Sequence, residues 1–446
     1  MRTLCFICIL GFFATPLSSQ VSLGKKPLPG FEERIAEYVD SLHIVDTHEH
    51  LLSPEELKRR GAIDFMVLLT HYSADDIKSA GMSDNTFRLL LKDSLAVADK
   101  WKILKPYWEA SSNTAYNRIA LLAADRLYNV HDINGSTVKE LSDKINRAYK
   151  TEWISRVLDM AKVDYVIQMN PGRTIKDKRF RDVIWFDGFI SINSKEKITA
   201  LAKQRNTDIR HLEDFTGLLD ATFIAARKSG VIAVKSALAY SRTLYYENVS
   251  REKASEIFDM LMTDGSGNLP FEAVKPLQDY IMHRVLDLCR ESGMPFIFHT
   301  GLQSGNGNQI ENSKPTLLVN LFREYPQVNF ILLHGGYPYG GELAATVKYF
   351  RNVYLDMAWV YAISPSFGER YLHEWLETVP ASKIMGFGGD YFNVENLYAH
   401  LLFARQVVAS VLTSKVRDGY FTEDEAKSTA RKILHDNAIR IYKINP

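Results

Sequence analysis

Cysteine is scarce in this chain of 446 residues: there are three, and two of them, Cys5 and Cys8, lie in an apolar opening segment. Only Cys289 remains beyond it, so the body of the protein has no internal disulfide open to it and must rely on a large core. An excess of charge of one sign is also missing. The 54 basic residues against 53 acidic ones leave a formal net charge of +1, with no polybasic run or acidic tail. That excludes the electrostatic footprint of a nucleic-acid binder or of a chain held on anionic membrane. The apolar run Leu4 to Phe13 is about half of the ~20 residues that a bilayer span requires. No Lys-Ser or Lys-Thr follows the paired glycines Gly335-Gly336 and Gly388-Gly389, so they do not form a phosphate loop.

What is present begins with a leader. Arg2, the short apolar run and the small polar stretch Pro16 to Gln20 read as a secretory signal over residues 1–20. This predicts an exported protein, periplasmic or secreted, with no stable membrane insertion after cleavage. Cys289 falls in the amphipathic stretch 281–289 and reads as a buried structural thiol.

Beyond the leader, short β-branched or aromatic runs recur, apolar throughout, as parallel strands buried on both faces are. Eight are counted: 43–47, 163–168, 183–186, 231–235, 295–299, 328–334, 353–356 and 384–387. Helical stretches such as 279–291, 314–325, 341–350 and 371–378 separate them. Strand and helix in alternation predict a parallel sheet, and eight repeats favour a closed (β/α)₈ barrel over a doubly wound open sheet. Residues 21–446 are therefore expected to form one barrel domain. One connection is long: residues 52–160 read as a helical insertion between the first two strands. At that size it is expected to be a subdomain or a lid. Its aromatics, Trp101, Tyr107, Trp108, Tyr116 and Tyr128, suit either closure over a substrate or an ordinary helical core.

In a parallel barrel all strands end at one face, where residues distant in sequence converge. His48 and His50 follow the first strand, and side chains two apart in an extended segment point the same way. His299 ends the fifth strand, His334 the sixth, and Asp390 follows the eighth. Imidazoles and a carboxylate around one axis suit a borderline divalent ion such as Zn²⁺.

His48-x-His50, His299-Thr300-Gly301, His334-Gly335-Gly336-Tyr337-Pro338 and Gly388-Gly389-Asp390, in that order, resemble the amidohydrolase superfamily, in particular its amidohydrolase-related branch. The opening Ile44 to Leu57, with His71-Tyr72 behind it, looks like uronate isomerase. The second half, with Lys235 to Arg242 and His334 to Tyr339, looks more like the hydrolase-type domain fused to some glutamine-synthetase-like proteins. The eighth strand lacks the Thr-Asp-Ser-Arg pattern of uronate isomerases.

The resemblance implies a metal-dependent hydrolase with His48, His50, His299 and Asp390 as ligands of one ion. Asp390 would double as base for a metal-activated water attacking a carbonyl-type centre, and His334 would polarise that carbonyl or stabilise the oxyanion. A sugar-acid isomerase and a decarboxylase are the alternatives, and a binding protein without catalysis is the non-enzymatic one. Lys235 is open three ways: carboxylated and bridging two ions, cationic with Arg242 on a substrate carboxylate or phosphate, or paired structurally. Gln168 and Asn170 at the second strand's end, and His71 and Tyr72 in the insertion, are further candidates for substrate contact. Asp356 is a candidate to orient a ligand imidazole, and Asp46 to brace the barrel interior. The partner expected is a small polar molecule; a homo-oligomer is left open.

Overall fold

The computed structural model describes residues 28–150, 152–169, 175–263 and 267–444. The expected signal segment and Asn170 lie outside the described residues. The strands are β1 (Ile44–Glu49), β2 (Val163–Gln168), β3 (Phe180–Trp185), β4 (Ala233–Ser236), β5 (Phe296–Phe298), β6 (Phe330–Leu332), β7 (Val353–Asp356) and β8 (Ile384–Met385). They lie side by side in chain order, and each neighbouring pair is parallel. The two edges are brought together by backbone hydrogen bonds: Thr47 N–H donates to Phe387 O (3.1 Å) and Asp390 N–H to His48 O (2.9 Å). That link makes a barrel of what would otherwise be an open sheet.

All eight expected strands are found, with shifted ends. β3 starts earlier, at Phe180, and β8 is reduced to two residues. Their apolar character has a simple cause, because each strand packs on both sides. One residue from each of the eight, Val45, Ile167, Val183, Ala233, Ile297, Ile331, Tyr354 and Met385, joins a cluster that fills the barrel. The alternate positions, among them Val166, Val234, Phe296, Phe298, Leu332 and Leu355, pack outward into the larger core shared with the helices. The helix Val394–Arg417 follows the barrel mouth; it begins at Asn393, whose side chain accepts from Asn396 N–H.

Between β1 and β2 the chain forms the helices Pro54–Arg60, Tyr72–Ser79, Asp84–Leu90, Val97–Ser111, Ala115–Tyr128 and Val138–Ala148, and then Trp153–Ala161, which leads into β2. The first of these is set by a Ser53/Glu56 capping box. They build their own core around Phe65, Trp101, Leu104, Trp108, Ile119 and Leu141, and the mouth residues Trp359 and Tyr391 belong to it. Trp101, Trp108 and Tyr128 are buried there, whereas Tyr116 stacks on Tyr72, centroids 5.2 Å apart. A polar clasp fastens this layer to the barrel. The buried Glu395 carboxylate accepts from Tyr128 OH (2.6 Å), Trp153 Nε1 (2.8 Å) and Tyr149 OH (3.0 Å).

Candidate metal centre

β1 ends irregularly. Asp46 pairs with Val166 and Glu49 with Gln168, so β1 spends one residue more than β2 over the same span. His48 within this bulge and His50 just after it both turn to the mouth. The loop after β8 lies against them, which Gly388 permits: a Cβ there would come within 2.6 Å of Ala358 Cβ and 3.0 Å of His48 Cβ. Asp390, two residues on, sits at φ 61°, and His334 after β6 at φ 62°. Left-handed backbone at two non-glycine residues costs free energy and is held only where the surroundings impose it.

Three donor atoms converge as a result. His48 Nε2 and His50 Nε2 are 3.3 Å apart, and Asp390 Oδ1 is 3.4 Å from the first and 3.5 Å from the second. Atoms bound tetrahedrally to one Zn²⁺ at about 2.0–2.1 Å stand about 3.3–3.4 Å from each other. The triangle therefore has the size of a face of such a shell. The other carboxylate oxygen, Oδ2, lies 3.7 Å from His334 Nδ1, and His48, His334 and Asp390 also offer ligand atoms within 4.8 Å of one another.

Burial raises the Asp390 carboxyl, but His48, His50 and His334 outweigh it and hold the group well below the ordinary range. Burial lowers His48, and burial with the neighbouring His299 takes His334 well below 6.5. His299 falls to about 3, through burial and then Lys235. An ionised carboxylate thus lies beside His48, His299 and His334, which are held towards the neutral form, the protonation that metal ligation requires.

His299 stands differently from the expectation that it joins this triangle. Its Nδ1 is 3.0 Å from His334 Nε2 and its Nε2 is 2.8 Å from Leu302 O, while His334 Nδ1 is 3.1 Å from Ala358 O. It meets the cluster through His334, its outer nitrogen held by a loop carbonyl. Three contacts in this row call for three protons, and two neutral rings supply two. A ring that turned its bare nitrogen to a cation would relieve the deficit.

Two other candidates are not drawn into the site. The Arg242 guanidinium is taken up by Gln278, Asp279 and the carbonyls of Thr243 and Tyr245, and it is covered by the Tyr246 and Phe271 rings. It has no free edge for a substrate anion. Gln168, by strand alternation, shares the outward side of Val166 rather than the inward side of Ile167, and it stands in register with Glu49. Lys235 shares the inward side of Ala233, is buried, and its Nζ lacks a hydrogen-bond partner among the described residues. His71 lies between the Tyr72 and Phe392 rings, 3.8 Å from each, and Tyr72 carries its hydroxyl towards Asp390. Asp356 accepts from Ala358 N–H, and Asp46 from His48 and Gly389 N–H, which steadies the backbone beneath the donors.

Sequence reading passed over four residues here. Glu49 is buried behind the histidines and accepts from His50 and Tyr391 N–H; between two candidate ligands it reads as spacer. Asp187 accepts from Ala237 N–H beyond the end of β4. Trp359 packs edge-on to His334 at 5.3 Å, and Tyr391 stands 6.0 Å from the His71 ring. Only the adjacency of Tyr391 to Asp390 could have pointed to it.

Residues 266–444 match the amidohydrolase family, a stretch that carries Asp390 of the donor triangle but not His48 or His50. That match takes in about 40% of the chain, the part that holds His299, His334 and Asp390. A segment is 29% identical over 224 residues to protein fluG of Emericella nidulans, covering 48% of this chain but 26% of that protein. The chain thus spans about a quarter of the length of the curated relative it matches. In fold, the chain is similar to uronate isomerase from Thermotoga maritima (TM-score 0.77, 16% identity, 92% of this chain and 97% of that one). It is also similar to glucuronate isomerase from Caulobacter crescentus (0.73, 16%, 93% and 95%) and to a candidate metal-dependent hydrolase of Lactobacillus casei (0.66, 17%, 92% and 97%).

Proposed function

We propose that the chain is a metal-dependent hydrolase of a small polar substrate, with His48, His50 and Asp390 as the core of the ligand set. The observation that carries this is the triangle of donor atoms, 3.3 to 3.5 Å on a side, which fits a tetrahedral ion such as Zn²⁺. A bound ion of that kind supplies Lewis acidity and a water acidic enough to react near neutral pH.

The chain's own groups supply the rest. Asp390, kept ionised by the surrounding imidazoles, receives the proton released as water adds to the carbonyl-type carbon. His334, neutral and buried, would donate a hydrogen bond to the oxygen that gains charge once its one N–H leaves Ala358 O or His299. Losing one such donor typically costs about 10²–10³ in rate. His299, with Nε2–H on Leu302 O, keeps Nδ1 bare beside His334 Nε2, and that is the nitrogen through which it would join the ligand set. Burial of the site excludes bulk water and strengthens each of these interactions.

A second reading, isomerisation of a sugar acid, is favoured by one feature of the insertion. Tyr72 sets a hydroxyl beside Asp390, which gives a proton shuttle a second station. The experiment that separates the two uses zinc-loaded protein with a panel of esters, lactones, amides and uronates in water enriched in heavy oxygen and deuterium. Hydrolysis puts the heavy oxygen into the acid product; isomerisation puts deuterium on carbon without hydrolysis. Deuterium uptake from a uronate, with no hydrolysis of any ester, lactone or amide, would overturn the hydrolase reading.

A further inference from the structure

Lys235 is the last residue but one of β4, on the inward side of the barrel, and is 1% exposed. Its ammonium nitrogen has no hydrogen-bond partner among the described residues. A buried cation left unpaired is costly, and proteins retain one where something completes it. The surroundings narrow what that is. Trp185, its register partner on β3, places a ring with its centroid 5.9 Å from Nζ, and the same ring lies 6.4 Å from His50. Trp185 is thus a shared neighbour of Lys235 and His50, and the lysine acts electrostatically on His48, His299 and His334. Asp390, Asp187 and Asp356 act on the lysine electrostatically, yet none of them forms an ion pair with it.

We propose that Lys235 and Trp185 form a subsite for the carboxylate of a monoanionic substrate, which places the reacting carbon of that substrate towards His48 and His50. A planar carboxylate accepts from the ammonium while its attached carbon skeleton lies against the indole. A phosphate monoester fits less well. Its second negative charge would meet three aspartates with one cation to offset them, and Arg242, which could have shared the load, is committed to Asp279. The subsite deepens the active-site reading above but does not depend on bound metal, so the two can fail separately.

The test measures binding by calorimetry to the purified full chain, both chelator-stripped and zinc-loaded. The probes are two unlike carboxylates, D-galacturonate and benzoate, each beside its neutral primary amide. For at least one pair, the wild type is expected to prefer the carboxylate by about tenfold or more in both forms, the scale of one charge-assisted hydrogen bond. Lys235→Met is expected to lose that preference while keeping its zinc stoichiometry and its unfolding midpoint. Lys235→Arg serves as a second variant that keeps the charge if Lys235→Met fails to fold, and it is expected to retain part of the preference. Equal binding of acid and amide by the wild type would overturn the subsite. So would a preference that persists in Lys235→Met, or a native mass one carbon dioxide heavier, which would make Lys235 a carbamate. A retained preference in protein that binds no zinc would instead sink the metal reading and leave this one standing.

Discussion

The imidazoles favour the ionised form of Asp390, and its charge in turn favours protons on His48 and His334, so neither side of the cluster is independent. Asp390→Asn keeps the shape and removes the charge. Zinc affinity is expected to fall by more than the about 10–100-fold that loss of an outer partner costs, and competition with a chromogenic chelator reads it directly. His334→Ala removes a neighbour instead. Zinc binding should survive while kcat drops about 10²–10³; a variant that turns over at the wild-type rate takes His334 out of the chemistry. Much of this was legible in the sequence because strand ends in a parallel barrel share one face, and His48, His50, His334 and Asp390 all end or follow strands. What was not legible depends on local backbone. The bulge in β1 decides which side Glu49 takes and pairs it with Gln168, and nothing in the run of residue types announces that bulge. Arg242 looked available because Gln278 and Asp279, which consume it, lie far along the chain.

At the scale of elements, the β5–β6 connection is held down by the insertion. The Asp75 carboxylate accepts from Gly305 N–H (2.8 Å) and Ser304 OH (3.1 Å), while Tyr240 OH accepts from Ser304 N–H (2.9 Å). The same loop presents Leu302 O to His299. Asp75→Ala is therefore expected to speed amide exchange at Ser304 and Gly305 and to raise KM, with little change in the unfolding midpoint. Exchange that stays as slow as in the wild type would mean the loop is held by something else. The strands were readable from their two-sided apolar runs, but this latch joins a helix of the insertion to a distant loop and leaves no periodic trace. The β2–β3 connection carries a second such tie, and it titrates. Burial raises the Asp177 carboxyl, but bonds from Arg179 and Ser155 outweigh it and draw it from 3.8 down to about 2. A carboxylate with a lowered folded pKa binds fewer protons folded than unfolded in that interval. Its stabilisation is complete above about pH 4 and is lost as pH falls through about 2. Asp177→Asn should flatten the acid limb of the thermal-unfolding profile in that window, and superimposable acid limbs would contradict it.

Over the whole molecule, the barrel and the helical layer each have a hydrophobic core, and Cys289 lies in that of the barrel, on the helix Phe271–Ser292. Composition foretold reliance on such a core, since one cysteine beyond the opening segment cannot form a disulfide within the body of the chain. The thiol is fully buried, and burial alone pushes it far above its ordinary value of 9.0. Both circumstances suppress the thiolate, the species that thiol reagents attack. Reaching Cys289 needs the helix Phe271–Ser292 to leave the barrel, and that helix packs on the barrel through Val274, Leu277, Ile281, Val285 and Leu288. Local fraying does not suffice for this, so labelling should require opening close to the global one. In a variant with Cys5 and Cys8 replaced by serine, a disulfide reagent is expected to leave the native protein unmodified. In rising urea its labelling rate should climb in parallel with the unfolding constant measured by circular dichroism. A rate independent of urea, at full native signal, would show that this helix opens on its own and that the barrel core is not one cooperative unit.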